Sequence, residues 1–127
     1  MRGTTSLAMA DPELASLDMS GDDESIVRWR LDEEIPARML SGTRYIVVAL
    51  GDRPRLRRST AAAIGLAHRE LRAVRGRLVV ITNQVTAGHC NRACPDLLVA
   101  ASVRQAESAL GLTSAHPAAA AVWRARH

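Results

Sequence analysis

Tyr45-Ile-Val-Val-Ala-Leu50 and Arg77-Leu-Val-Val-Ile-Thr82 are two short, nearly all-apolar runs rich in β-branched residues. Each reads as a strand buried on both faces. Between them, Gly51-Asp-Arg-Pro-Arg-Leu-Arg-Arg58 breaks the first run. Ser59 is a good helix N-cap, because its hydroxyl can accept a bond from a free backbone N–H of the first turn. Thr60 to Val74 reads as a helix, with Gly76 where a helix stops. A helix crossing between two such strands makes a parallel pair, so residues 45–82 form a βαβ unit. Its loop aims two hydroxyls, Ser59 and Thr60, out of a helix start. Hydroxyls placed there can bind an anion or accept a phosphate.

Within that helix Ile64, Ala67, Leu71 and Val74 recur at helical spacing and form an apolar stripe that can lie on a sheet. The same reading turns His68, Arg69, Arg72 and Arg75 outward. On the N-terminal side, Ser25-Ile-Val-Arg-Trp-Arg-Leu31 alternates, with Val27, Trp29 and Leu31 on one face, and is expected to be a half-buried strand. Asp32, Glu33 and Glu34 look like the start of a short helix that Pro36 and Gly42 confine to about two turns. Residues 1–24 have no sustained period and read as a flexible arm, with room for a short helix over 12–17. On the C-terminal side, residues 85–94 read as a short helix ended by Pro95, and residues 97–100 as a short strand. Ser102-Val-Arg-Gln105 matches a capping box that opens a helix to about Leu110, closed by Gly111. Residues 113–127 are expected to be a tail. The alternation defines an α/β fold: one domain, with helices on a mostly parallel sheet of four to five strands.

A chain of 127 residues suits a single domain with a modest core. With no Phe, one Tyr and two Trp, that core must be aliphatic. All 17 basic residues are Arg, a pattern that points to coding bias, and the net charge of +4 permits acidic partners without demanding nucleic acid. The Arg53–Arg58 cluster lacks interleaved aromatics for base stacking, so nucleic acid is not expected as a partner. Asp11 and Glu13 interrupt any signal-peptide apolar core, and no run approaches the ~20 apolar residues that span a bilayer. A cytoplasmic protein without membrane contact is the expectation.

Cys90 and Cys94 stand four apart, one helical turn, with His89 beside them. Three readings follow, in order of preference: two small buried thiols, a redox-sensing pair, and part of a zinc site whose fourth ligand would have to be a distant His68 or His116. No metal and no cofactor is expected. Enzymatic function is not expected either: there is no nucleophile elbow and no metalloprotease His pair. The acidic turn Asp32–Glu34 reads as helix-start charge bias, and none of the four His residues stands at a telling distance from a carboxylate.

From Ser25 to Leu112 the pattern resembles the STAS domain, the fold of bacterial anti-sigma factor antagonists. The resemblance rests on the strand 45–50, on Leu56-Arg-Arg-Ser-Thr-Ala-Ala-Ala-Ile64, on the strand after Gly76, and on Ala101-Ser-Val-Arg-Gln-Ala-Glu-Ser-Ala-Leu110. It implies a STAS-like domain over 25–112 and a regulatory role as a non-catalytic antagonist. The implied partner is an anti-sigma factor of the serine-kinase ATPase type. It implies Thr60 at the family's phosphoacceptor position, with Ser59 just before it. It also implies a partner surface of Arg53, Arg55, Arg57, Arg58, Ser59, Thr60, His68, Arg69 and Arg72. Two family positions differ: Arg58 stands for an Asp, and Ala61 for a Gly. The family's turn after its first strand is matched by Arg30-Leu-Asp-Glu33. The alternative reading is a STAS-like sensor of a small ligand such as a nucleotide, or of thiol redox state through Cys90 and Cys94.

Overall fold

Two strands buried on both faces organise the chain, and everything else covers them. The computed structural model describes residues 14–53 and 55–111. In chain order the elements are β1 (Leu14–Asp18), α1 (Glu24–Trp29), a π-helical turn (Arg30–Glu34), α2 (Ile35–Leu40), β2 (Tyr45–Gly51), α3 (Arg58–Ala73), β3 (Arg77–Thr82), α4 (Gln84–Ala93), β4 (Leu98–Ala100) and α5 (Val103–Leu110). The four strands form one sheet in the order β1-β2-β3-β4, parallel throughout. The α/β class and the parallel sheet agree with the sequence pattern.

The sheet's two faces are covered unequally. Ile46, Val48 and Leu50 of β2 and Leu78 and Val80 of β3 join the larger core with Val27, Leu31 and Ile35, with Ile64 and Leu71 of α3, and with Cys90 of α4. Val47 and Val79 point the other way, onto Ala106 and Leu110 of α5. The three crossovers therefore share one face and, among the described elements, α5 alone lies on the other. Crossovers of uniform hand require this when each new strand is added on the same side of the last.

Several expectations need correction. Residues 14–24 are not arm. Leu14 to Asp18 pair with Tyr45 to Ala49 as an edge strand, and Leu14, Ala15 and Leu17 are buried. The short helix expected over 12–17 is thus a strand where it is described. The tail expected over 113–127 lies outside the described residues. Ser25–Leu31 is helix and π-turn, not strand. Val27, Leu31 and Ile35 are the buried set, spaced by four, while Trp29 is 63% exposed. Asp23 caps this helix, accepting from the Ile26 N–H. The helix does not begin at Asp32–Glu34; those residues lie in the π-turn. Pro36 follows two residues later, and a proline ring clashes with the carbonyl four residues before it. Opening the helix to π geometry there relieves that clash. The turn after the first described strand is accordingly at Ser20–Asp22, not at Arg30–Glu33.

The end of α3 shows a tight approach. Arg75 takes the left-handed conformation (φ 64°), and Gly76 donates its N–H to the Leu71 carbonyl at 2.7 Å. A Cβ on Gly76 would lie 2.2 Å from the carbonyl oxygen of Arg44, which itself accepts the Arg77 N–H. The crowding atom is backbone, so it cannot swing aside. Gly76→Ala is expected to destabilise by about 1–3 kcal/mol or more. Gly88→Ala, inside α4 where the new methyl meets nothing within 4 Å, should stabilise by about 0.5–1 kcal/mol. Urea-denaturation midpoints of the two variants check both.

Candidate functional site

The start of α3 is built differently from a self-capped helix. The N-cap is Arg57, not Ser59, and no side chain of the cap residue closes the turn. The capping group comes from α1. Oε2 of Glu24 accepts the Arg57 N–H at 2.9 Å and the Thr60 hydroxyl at 2.7 Å. Glu24 does from a separate helix what the acidic residue of a capping box does from within one. It also places a negative charge at the positive end of the α3 dipole. Ser59 is left exposed in the first turn, whereas Thr60 is buried at 1% exposure. The residue aligned with the family's acceptor is thus tied to a carboxylate, and its neighbour is the hydroxyl that solvent reaches.

The Arg residues of the loop divide in the same way. Arg53 turns inward. Its guanidinium donates to the carbonyls of Leu50, Met19 and Asp22 at 2.9, 2.6 and 2.8 Å. Its own carbonyl accepts from Asn83 and Thr86 at the start of α4. Arg53 is therefore a clamp and not a free contact residue. Arg55, Arg57 and Arg58 are exposed. Arg55 and Arg58, with Leu56, Ala61, His89, Arg92 and Ala93, line a cleft of about 520 Å³ between the loop and α4.

Farther along α3, Arg69 and Arg72 face outward as expected, but His68 does not. It is 2% exposed, because it stands four residues after Ile64 and three before Leu71, on the core side of the helix. Val74, placed on the apolar stripe from sequence, is instead 39% exposed. Arg72 donates to Oδ2 of Asp96 at 2.6 Å. Asp96 also accepts the Cys94 thiol through Oδ1 at 3.2 Å, which holds the Asp96 carboxyl below the usual aspartate value.

Both cysteines are free thiols and both are buried. Burial pushes the Cys90 thiol up to about 11. Burial, then the bond to Asp96, pushes Cys94 up as well. Raised thiols are poor nucleophiles, so neither is set up as a fast redox sensor. Nor do Cys90, Cys94 and His89 form a ligand set. Cys94 is grouped with His68 and Asp96, while His89 lines the cleft beside Arg55 and Arg58. None of the described helices is long and apolar enough to cross a membrane.

Compared with protein-family models, curated proteins and solved structures, the chain matches none.

The Glu24 latch predicts a specific coupling. Glu24→Ala should cost about 1–3 kcal/mol, because it strands the buried Thr60 hydroxyl. In the Thr60→Val background the same change should cost clearly less. A double-mutant cycle by chemical denaturation measures the difference. The Asp23 cap that sets α1 adds a pH dependence. Its carboxyl is held below the ordinary aspartate value, first by the Ser25 hydroxyl and then by the Ile26 N–H. The stabilisation is present above the ordinary value and is lost as pH falls through the lower folded one. Asp23→Ala should flatten that acid limb of the stability profile.

Proposed function

We propose that the chain is a STAS-like regulatory binding module, an antagonist that docks on an anti-sigma factor of the serine-kinase ATPase type in the bacterial cytoplasm. The observation that carries this reading is the outward face of α3 and its approach loop. Ser59, Ala62 and Leu66 fall three and four residues apart, and all three are exposed, Leu66 to 51%. Arg55, Arg57 and Arg58 flank the strip at its start. A short apolar strip rimmed by guanidinium groups has the make-up of a protein interface, apolar at its centre and charged at its edge. The order strand, Arg-rich loop, helix, strand over residues 45–82 supports the reading.

The switch in this reading is Ser59. The partner's ATP donates its γ-phosphoryl group to the Ser59 oxygen, the new O–P bond replaces the bond to ADP, and the hydroxyl proton leaves to solvent. The product carries about −1.5 to −2 charge at the positive end of α3, within an Arg-rich surface. A phosphate on Thr60 would instead have to displace the Glu24 carboxylate and then sit beside it. Charge of that size, taken out of water at an interface, disfavours the complex unless the partner neutralises it.

A second reading, a receptor for a small anion such as a nucleotide, has one observation in its favour: Arg55, Arg58, Arg92 and His89 around the 520 Å³ cleft. Affinity capture from the native host, with partners and phosphosites read by mass spectrometry, separates the two. The antagonist reading expects an ATPase-type anti-sigma factor, and phosphate on Ser59 after incubation with ATP. Leu66→Asp should weaken the complex at least about tenfold, the loss of one central contact, without lowering the melting temperature. No such partner, together with a nucleotide-induced rise in melting temperature, would replace it by the receptor reading.

A further inference from the structure

We propose that His68, Cys94 and Asp96 form a binding site for a single Zn²⁺-class cation, with solvent completing the coordination shell. The site is independent of the docking face on α3 and does not rest on the antagonist reading.

Geometry comes first. One imidazole nitrogen, the Cys94 sulfur and one Asp96 oxygen lie within 4.8 Å of one another. Bond lengths of about 2.0–2.3 Å to zinc put tetrahedral ligands roughly 3.5 Å apart. The cluster needs to contract by about an ångström, which side-chain torsions supply. Access is through a cleft of about 370 Å³ that His68, Arg72, Arg75, Arg77 and Asp96 help to line.

The second observation is independent of that spacing. His68 is 2% exposed, yet among the described residues neither Nδ1 nor Nε2 has a hydrogen-bond partner. Its Nε2 stands 3.5 Å from Oδ2 of Asp96, within ion-pair range without completing a hydrogen bond. A buried imidazole with both nitrogens unbonded is costly. Coordination of one nitrogen removes that cost and draws on the ring's lone pair.

Guanidinium groups repel a cation, and Arg72, Arg75 and Arg77 line the cleft while Arg69 stands near Cys94; Arg72 is the one bonded to a ligand. Its bond, however, goes to Oδ2 of Asp96, while Oδ1 faces the Cys94 sulfur. A cation held between sulfur and Oδ1 takes the place of the thiol proton, which leaves to solvent. The thiolate and the carboxylate then neutralise the dication, and Arg72 faces a site with no net positive charge. Ligating carboxylates are commonly supported from behind by such a bond. A thiolate and an imidazole together favour zinc over magnesium or calcium. Gly65 permits the approach of the two elements: a Cβ there would lie 3.1 Å from Cβ of Cys94.

The test adds Co²⁺, then Zn²⁺, to the reduced, metal-free, full-length protein. One equivalent of Co²⁺ should give a thiolate-to-metal charge-transfer band with the visible bands of a tetrahedral ion, and Zn²⁺ should displace it. Asp96→Asn, at an exposed position and expected to fold, should weaken Zn²⁺ binding at least about tenfold, since even a supporting residue's loss costs about 10–100-fold. Cys94→Ala and His68→Gln should abolish the band, while Cys90→Ala and His89→Gln should keep it. Absence of the thiolate band in the wild-type protein overturns the proposal. So does a band that survives Cys94→Ala, or Zn²⁺ affinity unchanged by Asp96→Asn.

Discussion

A parallel strand cannot be reached by a hairpin, and this constraint shapes the rest of the molecule. β2 and β3 are apolar along both faces, so both faces must be covered. Each strand added beside them has to be delivered by a crossing segment, and with strands added in one direction all crossings fall on one face. The large core forms there, from α1, the π-turn, α2, α3 and α4. Only the element after the last strand is free to cross to the other face, and α5 does so. With every helix start on one face pointing toward the same end of the sheet, the loops after β1, β2 and β3 meet. That meeting bonds Arg53 to Asp22 and Asn83, and Glu24 to Arg57 and Thr60.

The central βαβ unit was legible because its signals are strong and local: two β-branched runs, small residues in the helix, and an Arg-rich break. The capping box of α5 was equally plain. Ser102 accepts from Gln105 N–H as expected, and the Gln105 side chain reaches back to Ala101, with Gly111 left-handed at the end. The N-terminal part is ambiguous in the sequence for two physical reasons. Leu14–Asp18 is an edge strand of five residues, too short for a period to declare itself. Residues 25–31 satisfy both a period of two and a spacing of four, and only the continuation to Ile35 favours the helix. Asp23, a good N-cap, was the available signal.

The candidate sites were legible only in part. Exposure of Arg55, Arg57, Arg58 and Ser59 follows from their place before and at a helix start. The partner of Thr60 does not, because Glu24 lies on another helix and no local pattern points to it. The inward turn of Arg53 is likewise invisible, since its three acceptors are backbone carbonyls. His68 was readable in principle: its spacing from Ile64 and Leu71 puts it on the core face, but its polarity argued for solvent. Its meeting with Cys94 and Asp96 depends on how closely α4 approaches α3. That is set at Gly65, by the absence of a side chain.

Arg53 joins three stretches that are far apart in the chain. Its side chain grips carbonyls at the end of β1, in the turn beyond it and on β2, while its carbonyl receives the start of α4. Local opening of any one of these strips hydrogen bonds from the other two, so they act as one cooperative unit. Arg53 and Arg57 thereby bond their loop to the starts of both α1 and α4. Glu24 sits in the first of those starts and the His89 cleft borders the second helix.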